Sequence, residues 1–119
     1  KTINALSKHK FISFGRGAPS PVFNPDWALK LGVKDNKKRK TVMKVNSVMG
    51  LLLAVESGVG LAALPDYLVS LSRNVIKVLP NVEGPITEAH FVFPESLKNV
   101  ARVTTFRNFL YSKISEFKS

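Results

Sequence analysis

The stretch Val45-Asn46-Ser47-Val48-Met49-Gly50-Leu51-Leu52-Leu53-Ala54-Val55-Glu56-Ser57-Gly58-Val59-Gly60-Leu61-Ala62-Ala63-Leu64-Pro65 decides how the chain is read. Just before it, Thr41 to Val45 alternates Val42 and Lys44 with bulkier apolar neighbours, the pattern of a strand. Asn46-Ser47 follows, a pair whose side-chain oxygens suit a helix N-cap. Val48 to Val55 is apolar on every side except at Gly50, which predicts a helix buried against a sheet. Gly58-Val59-Gly60 ends it, since a glycine takes the left-handed C-cap conformation without strain. Leu61 to Leu64 has the length and apolarity of a buried parallel strand, and Pro65 opens the next helix. The unit reads as βαβ.

Its junction at Asn46-Ser47-Val48 is the first candidate site. Amides in the first turn of a helix lack intrahelical acceptors, and the helix dipole favours an anion such as a carboxylate. Ser47 either serves that purpose or simply caps its own helix.

The same residues carry a resemblance. Val-Asn-Ser, an apolar helix, and then Val-Glu-Ser-Gly-Val-Gly-Leu-Ala-Ala-Leu-Pro resemble the effector-binding domain of LysR-type transcriptional regulators. That effector region is nearly twice as long, so the resemblance implies that this chain is the second half of one, a single partial domain over residues 1–119. Lys1 in place of Met points the same way, to an excised fragment.

Working outward, His9-Lys10-Phe11-Ile12-Ser13-Phe14 predicts a strand with Phe11 and Ser13 on one face and Ile12 and Phe14 on the other. It resembles the first strand of the family's second subdomain, usually opened by His-Pro, with Lys10 replacing the proline. Lys1 to Lys8 reads as a mostly polar connection into the domain. Gly15-Arg16-Gly17-Ala18-Pro19-Ser20-Pro21 should lie at the carboxyl end of that strand, where ligands collect in open α/β sheets. Arg16 there could hold a carboxylate through two parallel hydrogen bonds, or be an ordinary solvent-facing arginine. The resemblance implies a loop supplying effector contacts. The candidate effector-binding residues are therefore Ser13, Gly15, Arg16, Gly17, Asn46, Ser47 and Val48.

Asn24-Pro25-Asp26-Trp27-Ala28-Leu29-Lys30-Leu31-Gly32 predicts a two-turn helix with Trp27 and Leu31 facing the core. Beyond Pro65 a helix to Leu71 should bury Tyr67, Leu68 and Leu71, followed by strands at Val75–Pro80 and Ala89–Pro94. The last helix, Ala101 to Phe117, spaces Val103, Phe106, Leu110, Ile114 and Phe117 by three or four residues, with Phe109 widening the stripe. In the family such a helix packs on the first subdomain. Here it is expected to be covered by its own sheet, by a second copy, or by exchange of the element between copies, and the last two of these predict a homo-oligomer.

Composition bounds the rest. With 119 residues, 45% of them hydrophobic, the chain can bury a core of modest stability. It has no cysteine, which excludes a disulfide frame and a thiolate metal site and fits a cytoplasmic protein. No apolar run reaches the roughly 18 residues of a membrane span, and no signal-peptide core opens the chain. The formal charge is +10, densest at Lys34-Asp35-Asn36-Lys37-Lys38-Arg39-Lys40. That run reads as a solvated loop, or as a contact with DNA phosphates or an acidic partner. Scattered acids and only two histidines give no catalytic constellation, metal set or cofactor motif.

The predicted architecture is α/β in three layers, a mixed and mainly parallel sheet with helices on both faces. The resemblance adds a lobe like that of type II periplasmic binding proteins. It implies a bacterial regulator that senses a small-molecule effector, a carboxylate or other small anion, in an inter-subdomain cleft. DNA would be read only through a winged helix-turn-helix domain that this chain lacks. A solute-binding protein lobe and a basic nucleic-acid-binding module are the competing readings.

Overall fold

The computed structural model describes residues 2–15, 24, 26–35 and 37–117. The chain divides into two compact units, Lys1–Thr87 and Glu88–Ser119. In the first, the chain order is a 3-10 turn at Ile3–Lys8, strand β1 at Phe11–Phe14, a 3-10 turn at Trp27–Leu29, strand β2 at Thr41–Val45, helix α1 at Val48–Glu56 and a single helical turn, α2, at Asp66–Val69.

β1 and β2 pair in parallel, Ile12 with Met43, Ser13 with Lys44 and Phe14 with Val45. Alternation then divides the core. Ile12 and Phe14 cluster with Leu51 of α1, where Val45, Val48, Val55, Val59 and Leu64 complete the packing. Phe11 points the other way, into a cluster with Leu6 and Leu29. All four residues of β1 are buried, so this strand is covered on both faces. Leu6 belongs to the segment expected to be a polar connection; it is instead a 3-10 turn that contributes to the core.

The predicted βαβ unit forms, with its third member reduced. Ser47 caps α1 by accepting a hydrogen bond from the Gly50 N–H at 3.3 Å, and Gly58 takes the left-handed turn at φ +77°. A Cβ on Gly50 would fall 2.6 Å from Cγ1 of Val45, so the absence of a side chain lets the first turn of α1 sit directly on the end of β2. Leu61 meets β1 as an isolated parallel bridge to Phe11 rather than as a strand. Its N–H donates to the Lys10 carbonyl and its own carbonyl accepts from Ile12, both at 2.8 Å.

Several elements differ from the expectation. The two-turn helix at Asn24–Gly32 is one 3-10 turn whose buried residue is Leu29, with Trp27 only half-buried. Pro25, on which that helix prediction leaned, lies outside the described residues. Asp26 does not cap the turn; its carboxylate accepts a hydrogen bond from the Phe14 N–H at 3.1 Å. α1 is not buried all round, because a two-stranded sheet covers only one of its faces. Leu51 and Leu52 are buried, whereas Met49 and Leu53 are more than half exposed. In α2 only Leu68 is buried, Tyr67 and Leu71 being open to solvent. Val75–Pro80 is not a strand, nor is Ala89–Pro94. Among the described residues the one sheet has two strands, both parallel, where a larger mixed sheet was expected.

The second unit holds a 3-10 turn at Glu95–Leu97 and helix α3 at Ala101–Phe117, with the predicted bounds. Phe91 stacks in tilted geometry on Phe93 and Phe106, ring centroids 5.6 and 5.8 Å apart. The predicted apolar stripe is not buried: Phe106, Phe109 and Ile114 remain about half exposed.

Candidate functional site

Parallel pairing brings the carboxyl ends of β1 and β2 side by side, and with them two of the segments singled out in the sequence. The Gly15 N–H donates to the Val45 carbonyl at 2.7 Å. A Cβ on Gly15 would touch Cβ of Asn46 at 3.6 Å, which is ordinary contact, so the two turns run against each other. Asn46 and Ser47 are exposed there, and Val48 is half-buried with its side chain in the Ile12 cluster.

Ser47 sets the local chemistry. Its Oγ is engaged as the acceptor for Gly50, which leaves the N–H groups of Val48 and Met49 without an acceptor among the described residues. Removing that cap should be measurable by itself: Ser47→Ala is expected to lower stability by about 1 kcal/mol, and Ser47→Gly by only a few tenths, in chemical denaturation. Equal melting of all three proteins would show that the cap contributes nothing.

Ser13 is the one buried polar residue among those described, 4% exposed. By alternation it lies on the Phe11 face of β1, away from α1. Gly15 stands two residues on. Arg16 and Gly17 lie outside the described residues. Sequence reasoning missed Asp26 at this end of the sheet. It had the signature of a first-turn helix acid, and no local pattern reveals that a carboxylate will take up a strand amide twelve residues away. Its negative charge sits on the edge of β1 opposite β2. An anion at the Val48 and Met49 amides would therefore be bound on the side away from it.

His9 is exposed at the end of the first 3-10 turn. Among the described residues no group of His, Cys, Asp or Glu could hold a metal ion, and no helix is long and apolar enough to cross a membrane. A cavity of about 180 Å³ lies away from the candidate site, toward the amino end of β1, lined by Leu6, Phe11, Trp27, Val55, Leu61 and Leu79 among others. Trp27 is wedged there against Gly84, where a Cβ would come within 2.8 Å of the indole. Packing accounts for its position.

The chain belongs to the LysR substrate binding domain family, whose model matches residues 1–114. This agrees with the resemblance carried by the Val45–Pro65 stretch. Membership implies a periplasmic-binding-protein-like fold and points to effector sensing in a LysR-type regulator. No curated protein and no solved structure matches the chain significantly.

Proposed function

We propose that this chain is the second subdomain, with its C-terminal return segment and helix, of an effector-sensing domain in a LysR-type regulator. In the assembled domain the sheet would be larger, completing a three-layer α/β lobe. A small organic anion, a carboxylate first among them, binds in the cleft between two such lobes. On this side its contacts are the Ser13–Gly17 segment, including Arg16, and the Asn46-Ser47-Val48 junction. The observation that carries the reading is the adjacency of Gly15 and Asn46 at the carboxyl ends of two parallel strands, next to two amides with no acceptor among the described residues, in a chain of this family.

The ligand acts by favouring one state of the cleft over another, which alters how the regulator's winged helix-turn-helix domains sit on a promoter. Such a regulator works in the cytoplasm. The open stripe on α3 supports self-association. No cofactor and no catalytic step enters this reading.

A thermal-shift screen against aromatic acids, dicarboxylates, amino acids, sulfate and phosphate tests it. A ligand at about a hundred times its Kd should stabilise the chain by about 2.7 kcal/mol. Ser47→Gly, which leaves the fold nearly untouched, should weaken that shift. A shift of full size in Ser47→Gly would place the ligand elsewhere, and the absence of any shift in the full-length regulator would overturn the sensor reading.

A further inference from the structure

The two core clusters of the first unit do not close on each other. The cavity of about 180 Å³ is lined by Phe11, Leu31 and Leu79 of one cluster together with Val55 and Leu64 of the other. Its cause lies in the segment between them. Leu61 makes one bridge to β1, residues 62 to 64 then belong to no strand, and two of them are Ala62 and Ala63, whose methyl groups leave the space open. Val75–Pro80, expected as a strand, forms none and contributes Ile76 to the lining. Ile76 is also 74% exposed, so the cavity reaches solvent on that side.

The walls are fixed by contacts that need no ligand. Arg39, part of the run read from sequence as a solvated loop, turns inward: its backbone N–H donates to the Leu29 carbonyl at 2.9 Å, and Nη1 donates to the carbonyls of Ala28 and Leu31 at 3.1 and 2.6 Å. Its guanidinium carbon stands 5.6 Å from the centre of the Phe11 ring. Ala28, Leu31 and Phe11 all line the cavity, so one arginine holds three wall residues. Leu61 is held in turn by its two hydrogen bonds to Lys10 and Ile12.

We infer that this cavity is a second small-molecule site, taking one uncharged aromatic ring, apart from the effector site at the carboxyl ends of β1 and β2. The lining selects this occupant. Asp66 and Lys77 are the only charged residues in it, and they pair with each other at 3.8 Å with both side chains more than half exposed, which turns their charges toward solvent. Every other lining residue is apolar. Water stays in such a space only with two to four polar partners, whereas a dry apolar cavity of about 150 Å³ takes up benzene. An ion would enter without a partner, or would have to break the Asp66 and Lys77 pair to find one.

Trp27 lines the cavity and is the only tryptophan of the chain, so its fluorescence reports occupancy directly. Titration of the 119-residue chain with bromobenzene, a heavy-atom quencher, should give saturable quenching at one site, reversed by toluene. Sodium benzoate and benzylammonium chloride should not compete. Toluene at about ten times its Kd should raise the melting temperature by about 5 °C. Ala63→Leu fills the space from its wall and should abolish the saturable phase, whereas Leu53→Ala, at an exposed position on α1, should leave it intact. Should Ala63→Leu fail to fold, Val69→Phe fills the same space from α2 and should have the same effect. Quenching that rises only linearly with concentration, an unchanged saturable phase in a folded filling variant, or tighter binding of benzoate than of toluene would each overturn the assignment.

Discussion

Gly60→Ala is expected to destabilise the unit that contains it by about 3 kcal/mol, a drop of about 15 °C in melting temperature. A Cβ at that position would lie 2.6 Å from the carbonyl oxygen of Lys10 and 3.0 Å from its carbonyl carbon. These are backbone atoms, so no side-chain rotation relieves the clash. The same carbonyl receives the Leu61 N–H, and the Leu61 carbonyl in turn receives Ile12. Pushing the two segments apart therefore loses both hydrogen bonds as well as the contact of Leu61 with the Phe11 cluster. Gly58, two residues earlier, is the control. It needs a left-handed backbone, but a Cβ there would meet nothing within 4 Å, so Gly58→Ala should be milder, about 1–2 kcal/mol. Unchanged melting of Gly60→Ala, or a larger loss at Gly58, would mean that the bridge at Leu61 does not hold the two segments this closely.

Arg39→Met should have a comparable effect, about 3 kcal/mol, from the loss of charged hydrogen bonds to two carbonyls and of the stacking on Phe11. Methionine keeps most of the apolar volume, which isolates the polar contribution. The carbonyls of Ala28 and Leu31 would lose the donor that ties the Trp27–Leu29 turn to the segment entering β2. Lys37→Ala and Lys38→Ala, one and two residues away, should stay within about 0.5 kcal/mol of the parent. Urea denaturation of the three variants provides the comparison. Equal stabilities would return Arg39 to the solvated loop in which the sequence alone placed it.

That contrast shows what could be read from residues in order. β2, α1 and α3 were legible because their signals are local: alternation at Thr41–Val45, a serine cap with a glycine stop around Val48–Glu56, and a sustained helical period from Ala101. Val75–Pro80 and Ala89–Pro94 carry the same apolar composition as true strands and form none. A strand exists only where another edge receives it, and composition does not report that edge. The Trp27 turn failed for a related reason, since Asp26 gives its carboxylate to Phe14 rather than to the helix start. At the candidate site, the junction at Ser47 was legible from its capping chemistry. Its meeting with Gly15 follows from β1 and β2 being neighbours in register, which depends on residues thirty positions apart.

The same carboxylate gives the sheet a direction. On the far side of β1 the N–H groups of Ile12 and Phe14 are already committed, one to Leu61 and the other to Asp26. An incoming segment on that flank would have to displace a backbone bridge and strip a charged acceptor from its donor. On the other flank β2 ends the sheet among the described residues. Growth is therefore one-sided: an added strand would pair past Thr41–Val45 rather than on the Leu61 and Asp26 flank. At the β2 edge Lys40 and Lys44 act as gatekeepers, repelling an identical edge while tolerating one that brings acids.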